Sequence, residues 1–384
     1  MATRLHPAAT GDVYAAQAAD LAGLAAADRL RRLVPRRPVD LSSNDYLGLA
    51  RSPRLAAAVR DALDRGVAVG AGGSRLLGGN DPEHEALEAD AAAFFGTEAA
   101  LFFSSGYAAN VALLATLPQR GDLIVHDALV HASAHEGMRL SRAEAVSAEH
   151  NDPGAVADRI AGWRARGGTG RVWLAVESLY SMDGDRAPLA ELAEVTERHD
   201  AVLLVDEAHA TGVWGAGGRG LAAHLDGRAD VITLRTCGKA LGCEGALVCG
   251  PAIVRDMLVN RGRGFIFSTA PSPLMAAAAR AALRILADEP ERRGRLHALI
   301  ATAAAALAPL GVIATGTQIL PLIVGDDARA MALADRLQQA GFDVRGIRPP
   351  TVPAGTARLR LSITLNIDEA GVAALADALR DALA

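Results

Sequence analysis

The sequence is 384 residues long, 51% apolar and 22% charged, with a formal net charge of −5. That composition excludes a disordered chain, and the acidic balance speaks against a nucleic-acid surface. No apolar run approaches the roughly 20 residues of a membrane span, and residues 1–10 lack the apolar centre of an export signal, so a cytoplasmic protein is expected. In chain order, residues 1–35 read as an Ala-rich helix with a basic stop at Arg29, Arg31 and Arg32. A polar stretch at 41–49 leads into a helix ending near Gly66. Gly70, Gly72, Gly73, Gly78 and Gly79 then mark a loop. Asp81 and Pro82 open the next helix as N-cap and first-turn proline, and Gly96 closes it.

From there, apolar runs at 99–103, 123–125, 172–176, 201–205, 231–234 and 246–248 alternate with helical stretches. Continuous apolar strands between helices predict an α/β fold with a mainly parallel sheet covered on both faces. Beyond Pro271 come two long helices, strands near 319–324, 344–347 and 359–363, and a closing helix from Asp368. These predict a second, α+β unit. The expected division is an N-terminal helical arm at 1–45, a large α/β domain at 46–270 and a small C-terminal domain at 271–384.

Three cysteines, Cys237, Cys243 and Cys249, fall in one segment without a CxxC spacing, so neither a disulfide framework nor a thiol metal site is indicated. The basic residues are more telling. Of 39, only Lys239 is a lysine. Arginine replaces lysine wherever a solvated charge suffices, but its guanidinium cannot form an imine. A lone lysine is therefore a candidate for covalent chemistry. Ligands of open parallel sheets bind at the carboxyl ends of the strands, and three groups fall there. Ser104-Ser-Gly-Tyr107 ends one strand and opens a helix, offering backbone N–H groups to a phosphate. Asp206 and His209 follow the run at 201–205, and Thr236-Cys-Gly-Lys239 follows the run at 231–234. An anion site, a carboxylate and an amine on one sheet edge match what pyridoxal phosphate requires.

Other motifs carry less. Asp206-Glu-Ala-His209 spells a helicase box, but the only Gly-Lys pair, Gly238-Lys239, belongs to no phosphate loop. Gly215-Ala-Gly-Gly-Arg-Gly220 follows no apolar strand and reads as a turn. His131 and His135 have the spacing of a helical metal pair with His126 nearby, against the alternative of a single catalytic histidine; no metal is expected.

Ser42-Ser-Asn-Asp-Tyr-Leu-Gly48, Ser105-Gly-Tyr-Ala-Ala-Asn110, Ser181-Met-Asp-Gly-Asp185, Val205-Asp-Glu-Ala-His209, Thr236-Cys-Gly-Lys-Ala-Leu-Gly242 and Phe267-Ser-Thr269 together resemble the α-oxoamine synthases, in the same order from about residue 29 to the end. The resemblance implies a fold-type I pyridoxal-phosphate transferase that condenses an amino acid with an acyl thioester and releases CO2. Ile347-Arg-Pro-Pro-Thr-Val-Pro-Ala-Gly-Thr-Ala-Arg-Leu-Arg-Leu361 resembles the branch that joins L-alanine to pimeloyl-CoA or pimeloyl-acyl carrier protein in biotin synthesis. Relatives that take glycine or serine, and a catalytically silent partner subunit, are the alternatives. By the resemblance, Lys239 carries the cofactor as a Schiff base, Asp206 pairs with its ring nitrogen and His131 stacks on the ring. Gly106, Tyr107, Ser181, His209 and Thr236 hold the cofactor, as does Thr269 from the second subunit of a homodimer. Arg31, Thr351 and His131 contact the acyl substrate, and Asn44 and Arg360 address the amino-acid carboxylate. The chain departs from the family at Cys243-Glu244 and near Asn366-Ile367.

Overall fold

A computed structural model describes residues 13–384. Residues 1–10, read above for an export signal, lie outside the described residues. The chain divides into two units, residues 44–296 and residues 1–43 together with 297–384.

The larger unit is built on a seven-stranded sheet: β1 (Ala99–Phe103), β2 (Leu123–Asp127), β3 (Glu144–Ala148), β4 (Val172–Glu177), β5 (Ala201–Asp206), β6 (Val231–Thr236) and β7 (Ala246–Gly250). Their order is β1-β7-β6-β5-β4-β2-β3, and only β7 runs antiparallel to its neighbours. The alternation of side chains across a strand sorts the apolar residues into two layers. Leu123, Val125, Leu174, Leu203, Val205 and Val231 enter one, with α3 (Pro153–Ala165) and α4 (Leu189–Arg198). Ile124, Ala175, Leu204, Ile232 and Leu234 enter the other, with α1 (Gly106–Thr116) and α2 (Ala132–Leu140). Both faces are thus covered, as expected for runs that are apolar throughout.

Two features differ from the sequence reading. β3 was not expected, because it is a mostly exposed edge strand rather than an apolar run. In addition β2, β4, β5 and β6 run one or two residues past their apolar runs, ending on Asp127, Glu177, Asp206 and Thr236. An apolar count stops where the strand turns polar.

The helix Pro273–Asp288, expected in the C-terminal domain, stands with the larger unit. Its Leu274 and Ala277 bury against Ala62 of the helix Pro53–Asp64. The smaller unit holds a three-stranded antiparallel sheet with β10 (Ala357–Ser362) between β9 (Arg345–Ile347) and β8 (Ile319–Gly325). Helices Asp327–Gln339 and Glu369–Leu383 accompany it, and Asp368 caps the second as its position predicts. Within the arm expected at 1–45, Ala15–Ala26 is helical and buries no residue. Arg29 Nε donates to Asp327 at 2.8 Å, tying the segment after that helix to the rest of the unit. No helix among the described residues is long and apolar enough to cross a membrane.

Candidate active site

The two-residue period that sorts the core also aims the strand ends. Asp206 lies two residues beyond Leu204, Glu177 two beyond Ala175, and Thr236 two beyond Leu234, so all three project toward α1 and α2. The register sets Glu177 directly beside Asp206 on the neighbouring strand.

Asp206 is held on both oxygens. Oδ1 accepts from the Ala208 backbone N–H at 2.9 Å, and Oδ2 accepts from Asn110 Nδ2 of α1 at 2.8 Å. Asn110 Nδ2 also donates to Ser133 Oγ of α2 at 3.0 Å, and Ser133 Oγ lies 2.7 Å from His131 Nδ1. His131 and Asp206, 75 positions apart, are thereby joined by two side chains that the sequence reading did not single out. Burial lowers the affinity of His131 for a second proton; Asp206 opposes this, and the charge of Lys239 adds to it.

Glu177 was also missed. It is 3% exposed, and burial, reinforced by Asp206, pushes its carboxyl well above the usual range against the opposing charge of Lys239. The Ser181 backbone N–H donates to it, while Oε1 has no partner among the described residues. Burial thus favours the protonated, uncharged form of this side chain. The signal was available, since an acidic residue ends the apolar run of β4 as Asp206 ends that of β5.

Lys239 follows β6 in a tight turn whose Gly242 N–H donates to the Lys239 carbonyl at 2.9 Å. Gly242 has φ +64°, and a Cβ there would meet the Ala50 nitrogen at 2.4 Å, so only glycine fits. Thr236 Oγ1 accepts from the Gly238 N–H at 3.3 Å and would lie 3.8 Å from a Cβ placed on Gly106, the first residue of α1. Ser105 caps that helix by accepting from the Ala108 N–H at 3.1 Å, and Tyr107, half exposed, stands in its first turn. A helix N-terminus beside a threonine hydroxyl suits a phosphate.

Ser181 sits on a loop pinned from behind. His150 lies between two carboxylates, with Nδ1 2.8 Å from Asp127 and Nε2 2.7 Å from Asp185. Burial alone would depress this imidazole, but the two hydrogen bonds raise its pKa to about 10. His209 Nδ1 lies 2.6 Å from the buried Tyr46 hydroxyl, which also donates to Asn44 Oδ1 at 3.0 Å. Asn44 and His209 are thus brought together, with Tyr46 a further group the sequence reading left unassigned. Thr269 is exposed just after the helix Arg263–Ile266.

In the smaller unit Arg31 Nη2 donates to Thr351 Oγ1 at 3.2 Å. Arg31 lines a cleft of about 580 Å³ with Arg32, Arg345 and Arg348, faced by Asp28 and Asp335. Arg360 is buried on β10 and donates to Ser362 Oγ at 2.6 Å. Asn366, at one of the family departures, donates to Asp40 at 3.3 Å.

The remaining motifs resolve into packing. Glu207 is buried beside Arg235, and a Cβ at Gly220 would fall 1.6 Å from Glu207 Oε2, so the glycine-rich stretch is a turn fitted around that pair. His135 meets His126 edge to face at 5.1 Å, while His131 turns to cap α2. No group of three or more metal-ligating side chains stands together among the described residues.

The family model for class I and II aminotransferases matches residues 36–379. An 8-amino-7-oxononanoate synthase of Anaeromyxobacter dehalogenans is 49% identical over 354 residues, covering 90% of this chain and 87% of that protein. Among solved structures, a serine palmitoyltransferase from S. paucimobilis with a bound PLP–myriocin aldimine superposes with a TM-score of 0.87 at 28% identity, over 96% of this chain and 97% of that one. An 8-amino-7-oxononanoate synthase from Francisella tularensis gives a TM-score of 0.75 at 27% identity, over 90% of this chain and 97% of that one.

Proposed function

This chain belongs to the class I and II aminotransferases and, within them, to the 8-amino-7-oxononanoate synthases, and we propose that it condenses L-alanine with a pimeloyl thioester, releasing CO2 and the free thiol. The observation that carries the reading is the sole lysine, set after β6 where its charge acts on His131 and on Glu177, the neighbour of Asp206. The donor set fits pyridoxal 5'-phosphate: an amine for its aldehyde, a carboxylate for its ring nitrogen, and a capped helix N-terminus with Thr236 for its phosphate.

When bound, that cofactor supplies an aldehyde for amines and a protonated ring that takes up the electron pair left at Cα. The chain's own residues do the rest. Asp206 keeps a proton on the ring nitrogen, held in place by Asn110 and the Ala208 N–H. Lys239 would hold the aldehyde, and its free amine would take the Cα proton of the amino acid. His131 would lie against the ring and donate to the thioester carbonyl oxygen as charge develops there. Gly106 and Tyr107 would hold the cofactor, Tyr107 near its phosphate, while Ser181, His209 and Thr236 would contact its oxygens and Thr269 would reach the cofactor of the second subunit of a homodimer. Asn44 and Arg360 take the amino-acid carboxylate, for which a guanidinium offers paired donors. Arg31 and Thr351, already bonded to each other, take the acyl chain, its carrier being CoA or an acyl carrier protein.

A serine-using reading draws on the higher TM-score of the palmitoyltransferase. That score compares backbones, which many activities share, whereas the relative that is 49% identical is named an 8-amino-7-oxononanoate synthase. Crossing alanine, glycine and serine with pimeloyl and palmitoyl thioesters decides between them. Alanine with pimeloyl should give the highest kcat/KM; a preference for serine with palmitoyl would overturn the proposal.

A further inference from the structure

We propose that Asn110 and Ser133 are positioning residues that tie Asp206 to His131 and hold the His131 imidazole neutral, with its proton on Nε2. The proposal deepens the reading of Asp206 and His131 as cofactor partners and rests on it for its catalytic meaning.

The direction of each hydrogen bond follows from what its atoms can do. The Asp206 carboxylate only accepts, so Asn110 must present its amide nitrogen, which donates to Oδ2 at 2.8 Å. That nitrogen has a second N–H, directed at Ser133 Oγ at 3.0 Å. With its oxygen accepting from Asn110, Ser133 turns its own hydroxyl proton to His131 Nδ1 at 2.7 Å. The Ser133 backbone N–H points at the same Nδ1, 3.2 Å away, and a backbone N–H cannot reverse. Two donors converging on Nδ1 leave it no proton of its own.

Two further features agree. His131 is the N-cap of α2, a position that needs an acceptor, and the positive end of the helix dipole disfavours an imidazolium. The approach of α2 to α1 is also built in. Gly137, one turn beyond Ser133, has no Cβ; one placed there would meet Leu114 Cβ at 2.8 Å and the Asn110 carbonyl at 3.0 Å. The charged groups acting on the ring are Asp206, which favours the cation, and Lys239, which opposes it, and Glu177 lines the same cavity. With Nδ1 occupied, Nε2–H is the only donor the ring has for a substrate oxygen.

Histidine tautomers are read directly by long-range proton–nitrogen correlation spectra of the full-length protein labelled with 15N-histidine, the His131 signals being assigned by their loss in His131→Gln. Spectra are taken without cofactor and after loading with pyridoxal phosphate. We expect an unprotonated Nδ1 and a protonated Nε2 at pH 7 in both. Ser133→Ala should produce a detectable Nδ1-protonated fraction and move the ring's titration midpoint upward. A wild-type ring protonated on Nδ1 at pH 7 overturns the proposal without any variant, as does a Ser133→Ala protein whose tautomer and titration are unchanged. Because the cofactor-free spectrum does not require a cofactor on Lys239, failure of the cofactor reading is seen separately, as absent labelling of that residue.

Discussion

A carboxyl group buried against another is pushed toward its uncharged form, and Glu177 beside Asp206 is such a case. With the Glu177 carboxyl pushed toward its uncharged form, Glu177→Gln keeps its shape and adds no charge. We expect its denaturation midpoint to correspond to less than about 1 kcal/mol of lost stability, with cofactor loading intact. A loss of about 3–5 kcal/mol would mean that an ionised Glu177 was part of a buried ion pair. At this scale the sequence was legible where chemistry is singular. Lys239 stood out because arginine replaces every other lysine, and Asp206 because it ends an apolar run. Asn110 and Ser133 gave no such signal. Each is an ordinary polar residue on a helix, and their meaning appears only when α1 and α2 bring positions 23 apart within 3.0 Å.

The loop that carries Ser181 shows how elements fix a site. Its Asp185 and the end of β2, Asp127, are clamped by one imidazole. The folded-state pKa of His150 is raised from 6.5 to about 10, against burial, by hydrogen bonds to both carboxylates. A raised pKa contributes stability that is fully present below about pH 6.5 and is lost as the pH climbs through about 10. His150→Gln should therefore reduce thermal stability most near pH 6 and least near pH 10. Melting curves of both proteins across that range test this; a difference that does not shrink with pH would show that His150 is uncharged in the fold. Element positions were largely readable from apolar runs, since a strand buried on both faces cannot hide its composition. β3 escaped because an edge strand is solvated on one side, and its exposed Glu144, Ala145 and Ser147 make no apolar run. The helix Pro273–Asp288 was foreseen as a helix but placed in the wrong unit, because what it packs against lies some 200 positions earlier in the chain.

For the whole molecule, the proposed function gives recognition of the substrates and activation of the cofactor to residues far apart in sequence. Arg31, Thr351 and Arg360 stand in the unit of residues 1–43 and 297–384, and Lys239, Asp206 and His131 in the unit of residues 44–296. The motifs spread along the sequence made this assignment of roles legible, but the pairing of Arg31 with Thr351 required the fold. If Arg31 reads the distal carboxylate of a pimeloyl chain, Arg31→Ala should cost roughly 2–5 kcal/mol in kcat/KM for that thioester. An uncharged acyl thioester of similar length should lose little, and equal losses for both would remove Arg31 from the acyl site. All of these roles presuppose that the cofactor is carried on the one lysine of the chain. The most direct test is to incubate the purified protein with pyridoxal phosphate, reduce it with borohydride and locate the added mass by peptide mass spectrometry. The prediction is one cofactor per chain on the peptide containing Lys239, lost in Lys239→Arg, which keeps the charge but not the nucleophile. A protein that gains no cofactor mass would contradict the account.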